Sequence, residues 1–153
     1  MSAAAPTIEE ATMAERKASA TWQGDLFKGA GTVSADSSAL FTGADVSWAS
    51  RTESPAGQTS PEELIAAAHA ACFCMALSNE LSSRGHVPDR LSVAATSTFE
   101  GGKITRMILQ VDADVPGADD AAFREALGAA EQSCPVSNAL RGNVEIEVNA
   151  NLG

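Results

Sequence analysis

Apolar and polar residues alternate in short runs over the first third of the chain. The segment ASATWQGDLFKGAGTVSADSSAL interrupts such runs with glycine-containing turns, and a further run follows in FTGADVSWASRT. Short alternating runs separated by glycine turns are typical of antiparallel hairpins. The pattern therefore predicts three short strands between Ala18 and the loop SPAGQTS.

A helix with a well-defined first turn is predicted after that loop. Ser60 stands at the N-cap, Pro61 at the first helical position, and Glu63 three residues after the cap, which is the pattern of a capping box. A glycine ends many helices because it adopts a left-handed backbone at no steric cost. We expect this helix to run to about Gly85.

The middle of this helix is apolar on every side. Between Leu64 and Leu77 each residue except His69 is apolar or a cysteine, which behaves as a small hydrophobe. A sheet can cover one face of such a helix, but a chain this short has little left for the other. A partner subunit is the economical cover, so we expect a homodimer.

The rest of the chain completes an α+β pattern. Two predicted strands, RLSVAATSTF and ITRMILQVDADV, are joined by EGGK and followed by a helix from Asp119, the segment SCPVSNAL, and a strand at NVEIEVNA. The order βββ-α-ββ-α-β with short links predicts an α+β fold of antiparallel sheet strands around a long central apolar helix. Residues 1–16 carry no strand or core signal, which predicts a mobile N-terminal arm before a single domain over 17–153.

Composition narrows the possible partners. The chain has 153 residues, 44% of them hydrophobic, and a formal charge of -10, so phosphate backbones and anionic membranes are repelled. Nucleic acid is therefore not an expected partner. A membrane is not expected either, because the sequence lacks a basic region followed by an apolar run and no stretch approaches about 18 apolar residues. Three cysteines are too few for a secreted disulfide scaffold, so a cytoplasmic protein with free thiols is expected.

The cysteine spacing argues against a metal site. Cys72 and Cys74 lie about 200° apart around a helix and cannot bind one ion together. His69 and Cys72 share a face and could bind zinc with Cys134, but no fourth ligand is apparent. A cysteine on an apolar helix is often simply buried and unreactive. Cys134, however, precedes a proline at a helix start, where free N–H groups favour a thiolate.

Several motifs together resemble one family. TSPEELIAAAHAACFCMALSNEL and, after two strands and a helix, SCPVSNAL resemble the OsmC/Ohr family of organic hydroperoxide reductases, specifically its OsmC branch. ATWQGDLFKGAGTVS and VPG at 115–117 also resemble that branch, so the resemblance covers roughly residues 17–153. It implies an OsmC-like fold assembled as an intertwined homodimer.

The resemblance also implies a mechanism and a set of site residues. Cys72 matches the peroxidatic cysteine, Cys134 the resolving cysteine, Arg51 the arginine beside the reactive thiolate, and Glu62 the carboxylate paired with that arginine. The implied reaction reduces an organic hydroperoxide through a Cys72 sulfenic acid and a disulfide, without metal, haem or flavin. A dithiol must then reduce the disulfide, and the resemblance indicates lipoyl groups on carrier proteins.

Spacing along the helix raises a difficulty for this site. Glu62 and Cys72 are ten residues apart, about 15 Å along a straight helix. Either the helix breaks, or Arg51 spans part of the gap, or the contacts cross a dimer interface. Arg141 is a lesser candidate for the same cation. His69 is interpreted as a core histidine with a satisfied hydrogen bond.

The apolar helix also suggests the substrate. A pocket lined by side chains such as Trp48, Phe73, Met75 and Leu77 would favour alkyl or fatty-acyl hydroperoxides over hydrogen peroxide, because each buried CH₂ contributes about 0.8 kcal/mol. The sequence leaves open which of the four face the pocket. Two alternatives remain open: a thiol redox sensor or binding module without turnover, and a zinc-stabilised structural protein.

Overall fold

The fold has six strands and four helices in the part of the chain that the structure, a computed structural model, describes, residues 13–153. In chain order they are β1 (Ser19–Gln23), β2 (Ala30–Ser34), β3 (Ala44–Val46), α1 (Trp48–Thr52), α2 (Pro61–Ser83), β4 (Arg90–Glu100), β5 (Lys103–Asp114), α3 (Asp120–Ser133), α4 (Pro135–Leu140) and β6 (Glu145–Leu152). The α+β fold with a long helix is confirmed. The predicted mobile arm falls mainly on residues 1–12, outside the described residues, and the boundary at residue 17 stays a prediction.

The strands form two separate sheets. β1, β2 and β3 pair in antiparallel order, and β4 pairs antiparallel with β5. β6, however, lies parallel to β5, from Arg106 opposite Glu145 to Ala113 opposite Leu152. The expectation of purely antiparallel pairing is wrong at this edge. A parallel return needs a long crossover, and α3 and α4 supply it.

Local sequence explains both ends of α2. The Ser60 side chain accepts a hydrogen bond from the Glu63 backbone N–H at 3.2 Å, while the Glu63 carboxylate accepts one from the Thr59 hydroxyl instead of closing the capping box. At the other end Gly85 has φ +84°, and the N–H groups of Gly85 and His86 bond back to the carbonyls of Ser82 and Leu81. This Schellman motif ends the helix where the glycine predicts.

The core lies between α2, α3 and one face of the β4–β5–β6 sheet. β5 turns every second side chain inward, and α2 supplies fully buried Phe73, Leu77 and Leu81. The opposite side of α2 carries exposed Ala67, Ala68, Ala71 and Met75. One face of the apolar helix is therefore covered within this chain, and a narrower stripe on the opposite face is exposed.

α2 also satisfies the length and composition of a membrane span. An 18-residue window has a mean hydropathy of 1.4. The expectation that no stretch approaches such a span is therefore wrong, because alanine and cysteine raise the hydropathy of a helix whose first turn is acidic. Within the fold, α2 packs against β4 and α3, as a core helix does.

The small β1–β3 sheet stands largely in solvent. Every residue of β1 is exposed, and Phe27 after it is 72% exposed. An edge-to-face chain of rings connects this sheet to the rest, from Phe27 to Trp48 and from Trp48 to Phe99, with centroids 5.6 and 6.1 Å apart. α1 lies at this junction, in a segment predicted as strand, and it holds Arg51 on a helix.

Candidate active site

Cys72 and Cys134 meet in the fold although they are distant in sequence. Cys72 lies half-buried in the middle of α2, and Cys134 is fully buried at the junction where α3 ends and α4 begins. Cys72 packs against the buried cluster that contains Cys134, and the two thiols are close enough to influence each other's ionisation. Pro135 cannot continue α3, so the chain turns there and directs Cys134 toward α2.

The surroundings of Cys72 oppose ionisation within one chain. Burial raises the pKa of the Cys72 thiol, the backbone N–H of Val136 lowers it, and the Cys134 thiol raises it again. The net effect is a pKa above the ordinary value. An activated cysteine needs the reverse, which a nearby cation would supply.

Cys74 lies in a different environment from Cys72. Its thiol lies near the backbone N–H of Val93 on β4, away from Cys134. Burial raises the pKa of Cys74, and the Val93 N–H offsets only part of that. The two neighbouring thiols thus face different elements, as the spacing of about 200° around the helix predicts.

Arg51 and Glu62 form an ion pair at the start of α2. Arg51 Nε and Nη2 both approach Glu62 Oε1, at 2.8 and 2.7 Å, and the guanidinium stacks 4.4 Å from the Phe99 ring centroid. Glu62 is only 6% exposed, and its Oε2 has no partner among the described residues. A buried carboxylate with one free oxygen retains capacity for a further donor.

Two cavities adjoin this ion pair, and Arg51 lines both. One, of about 450 Å³, is also bordered by Glu62, Ser97 and Phe99. The other, of about 310 Å³, is mostly apolar and bordered by Trp22, Leu26, Val46, Ser47, Trp48 and Pro61. Ser97, whose buried hydroxyl has no partner among the described residues, was not expected from the sequence, because one serine in a strand gives no signal.

The lining predicted for a substrate pocket is largely wrong. Trp48 does border the apolar cavity. Phe73 and Leu77 are fully buried in the core instead, since they face the sheet and α3. Met75 is 72% exposed and borders a different depression, near Cys74.

Within one chain, the structure does not bring the Arg51–Glu62 ion pair next to the Cys72 and Cys134 thiols. α2 runs without a break from Pro61 to Ser83, so the ten residues between Glu62 and Cys72 span about 15 Å. Arg51 is held at the Glu62 end. Of the three ways to close this gap, a broken helix is excluded. Arg141 is also engaged elsewhere, where it donates to the Glu131 carbonyl and the Asn138 side chain.

His69 is a fully buried histidine with one partner. Its Nε2 lies 2.7 Å from the Ser137 hydroxyl, and its Nδ1 has no partner among the described residues. Burial lowers the pKa of His69, so the ring is neutral at pH 7. Within residues 13–153, no group of three or more His, Cys, Asp or Glu side chains is placed to hold a metal ion.

Comparison with known proteins identifies the family. The OsmC-like protein family model matches residues 54–149. "Peroxiredoxin OsmC" of Escherichia coli is 38% identical over 136 residues, which are 86% of this chain and 94% of that protein. An organic hydroperoxide resistance protein of Xanthomonas axonopodis is 36% identical over 93 residues, 58% of this chain and 63% of that one.

The fold comparison agrees with the sequence match. The crystal structure of an organic hydroperoxide resistance protein from Elizabethkingia anophelis has a TM-score of 0.68 and 26% sequence identity, covering 93% of this chain and 99% of that one. The sequence match and the shared architecture together show that this chain belongs to the OsmC family.

Proposed function

We propose that this protein is a thiol-dependent peroxidase that reduces organic hydroperoxides to alcohols in the cytoplasm. The observation that carries the proposal is that Cys72 and Cys134, two thiols from different elements, lie close enough to interact. The names of its relatives, a peroxiredoxin and a hydroperoxide resistance protein, support the same chemistry.

The proposed reaction has three steps. The Cys72 thiolate attacks the terminal oxygen of ROOH, the O–O bond breaks, and the alkoxide takes a proton to leave as ROH. Cys134 then attacks the sulfur of the Cys72 sulfenic acid, so a disulfide forms and water leaves. An external dithiol, such as a lipoyl group on a carrier protein, gives two electrons and two protons to restore both thiols.

Among residues 13–153 no cation lowers the pKa of Cys72, so the thiolate needs one from elsewhere. We assign this role to Arg51 of the partner subunit, held by Glu62 of the same partner. If two α2 helices cross antiparallel about a two-fold axis at position 67, position 62 of one helix lies opposite position 72 of the other. The guanidinium would lower the pKa of Cys72 and stabilise the departing alkoxide.

The surface of α2 supports such a dimer. Ala67, Ala68, Ala71 and Met75 leave an uncovered apolar stripe whose small side chains allow a second helix to approach closely. Three of its four residues, the alanines, lie on the stretch of α2 that separates Glu62 from Cys72. Association through this stripe would cover the helix and complete the site in one step.

The first test compares substrates. With a dithiol reductant in excess, the protein is expected to consume tert-butyl and cumene hydroperoxides with a higher kcat/KM than hydrogen peroxide, because an apolar cavity adjoins Arg51. Loss of each hydroperoxide is measured directly against a control without protein. Oxidation of Cys72 without repeated turnover would instead identify a redox sensor and contradict the proposal.

The second test concerns Arg51. Arg51→Ala is expected to raise the pKa of Cys72 and so to slow its alkylation at pH 6, where less thiolate remains. The alkylation rate is measured by mass spectrometry from pH 5 to 9. An unaltered pH profile would mean that another cation activates the thiol.

Mixed dimers show which subunit supplies the arginine. Co-expressed Arg51→Ala and Cys72→Ser chains with different tags should form heterodimers containing one complete site, with about a quarter of wild-type activity in a random mixture. Each variant alone should be inactive, and sedimentation should give a dimer for each. An inactive mixture of verified heterodimers would place Arg51 and Cys72 in the same subunit and contradict the assignment.

A further inference from the structure

His69 and Ser137 link the two elements that carry the redox cysteines. We propose that this pair is a positioning device, here called the register lock, which holds α4 against α2 so that Cys134 faces Cys72. The role rests on the proposed peroxidase cycle. It concerns the second step of that cycle, the formation of the disulfide.

The spacing of the four residues carries the argument. His69 lies three residues before Cys72 on α2, and Ser137 lies three residues after Cys134 at the start of α4. Three residues are close to one helical turn, so each pair occupies one side of its element. The hydrogen bond of 2.7 Å and the thiol contact are therefore adjacent cross-links between α2 and α4.

Ser137 is connected to both cross-links. Its hydroxyl bonds with His69 Nε2, and its backbone N–H donates to the Cys134 sulfur at 3.5 Å. Ser137 and His69 are 2% and 0% exposed, so water cannot readily replace either partner. A shift of α4 along α2 would break this bond and carry Cys134 away from Cys72 at the same time.

Disulfide formation is unusually sensitive to such a shift. The two Cα atoms must stand about 4.4 to 6.8 Å apart, with their Cβ atoms directed at each other. Without the lock, α4 can sample positions in which Cys134 misses the sulfenic acid.

Loss of the register lock is therefore expected to slow disulfide formation and to leave sulfenic acid formation nearly unchanged. His69→Leu and Ser137→Ala should slow conversion of Cys72 sulfenic acid to disulfide by about 10- to 100-fold, because small misplacements of reacting atoms have effects of this size. The rate at which hydroperoxide forms the sulfenic acid should change less than about threefold, since neither residue contacts Cys72 as a cation or donor. At a fixed hydroperoxide concentration, more Cys72 should then reach the sulfinic acid.

Rapid-quench mass spectrometry separates the two rates. Sulfenic acid is trapped with a dimedone reagent and the disulfide is counted by alkylation of remaining thiols. His69→Gln, whose amide can still donate to Ser137, should restore most of the disulfide rate. Leu81→Ala, which truncates a fully buried residue further along α2, serves as a control for lost stability.

Two outcomes would overturn the register lock. One is an unchanged disulfide rate in His69→Leu and Ser137→Ala. The other is an equal slowing in Leu81→Ala at the same loss of thermal stability, with no rescue by His69→Gln. Either would reduce the pair to an ordinary core contact.

A measurement without peroxide separates this inference from the proposed function. Equilibration with oxidised and reduced glutathione, followed by alkylation, gives the stability of the Cys72–Cys134 disulfide whether or not the protein reduces hydroperoxides. Loss of the lock should make the disulfide about tenfold less stable, which corresponds to a reduction potential about 30 mV higher. An equal potential in wild type and His69→Leu would contradict the lock even if the peroxidase activity is real.

Discussion

Cys72→Ser is expected to reduce hydroperoxide turnover below detection. A serine hydroxyl stays protonated at neutral pH and cannot attack the O–O bond as a thiolate does. The measurement is consumption of cumene hydroperoxide with excess dithiol. A Cys72→Ser protein that turns over at the wild-type rate would refute the peroxidatic role of Cys72.

Cys74→Ser provides a matched control on the same helix. Its side chain faces β4, where the Val93 N–H can donate to a serine oxygen as it does to the thiol. We expect nearly full activity and a loss of free energy of unfolding of no more than about 1–2 kcal/mol. Peptide mapping of the oxidised wild type should give a Cys72–Cys134 disulfide. A dominant disulfide between Cys74 and Cys134 would show that the other thiol reacts.

Cys134→Ser is expected to stop the cycle after its first chemical step. Each chain should still consume one equivalent of hydroperoxide in forming the Cys72 sulfenic acid, because this step does not need Cys134. With no thiol opposite it, that sulfenic acid reacts again and becomes a sulfinic acid. Excess hydroperoxide should therefore add about 32 Da to the intact mass, a change that dithiols do not reverse.

The wild-type protein under the same conditions supplies the comparison. It should lose about 2 Da on forming the disulfide and regain that mass with a dithiol. Sustained turnover by Cys134→Ser at the wild-type rate would indicate that the external reductant resolves the sulfenic acid directly. In that case Cys134 would have no part in the cycle.

The sequence predicts the helix α2 well because its signals are local. Ser60 and Pro61 define the start, and Gly85 supplies the left-handed residue that the end requires. The parallel return of β6 is not predictable in this way. It depends on how α3 and α4 carry the chain across the sheet, and an alternating strand pattern is the same for either direction.

In the site, too, some contacts could be predicted from the sequence and others could not. The resemblance to a known family indicated the pairing of Arg51 with Glu62, and the structure places them in contact. The partnership of His69 with Ser137 joins positions 68 residues apart, and neither residue type indicates the other. Phe73 and Leu77 were assigned to a pocket because hydrophobicity alone does not distinguish a core position from a cavity wall.

The parallel pairing of β6 has a consequence during synthesis. α3 and α4 lie in the crossover between β5 and β6, and this crossover is complete only when β6 has paired with β5. Cys72 leaves the ribosome about 60 residues before Cys134, which takes several seconds at typical elongation rates, and β6 follows later still. A nascent chain therefore carries Cys72 before its resolving partner can reach it. In the proposed dimer the cation that activates Cys72 is likewise in place only after folding and association, so the reactive thiolate and its resolving thiol become available together.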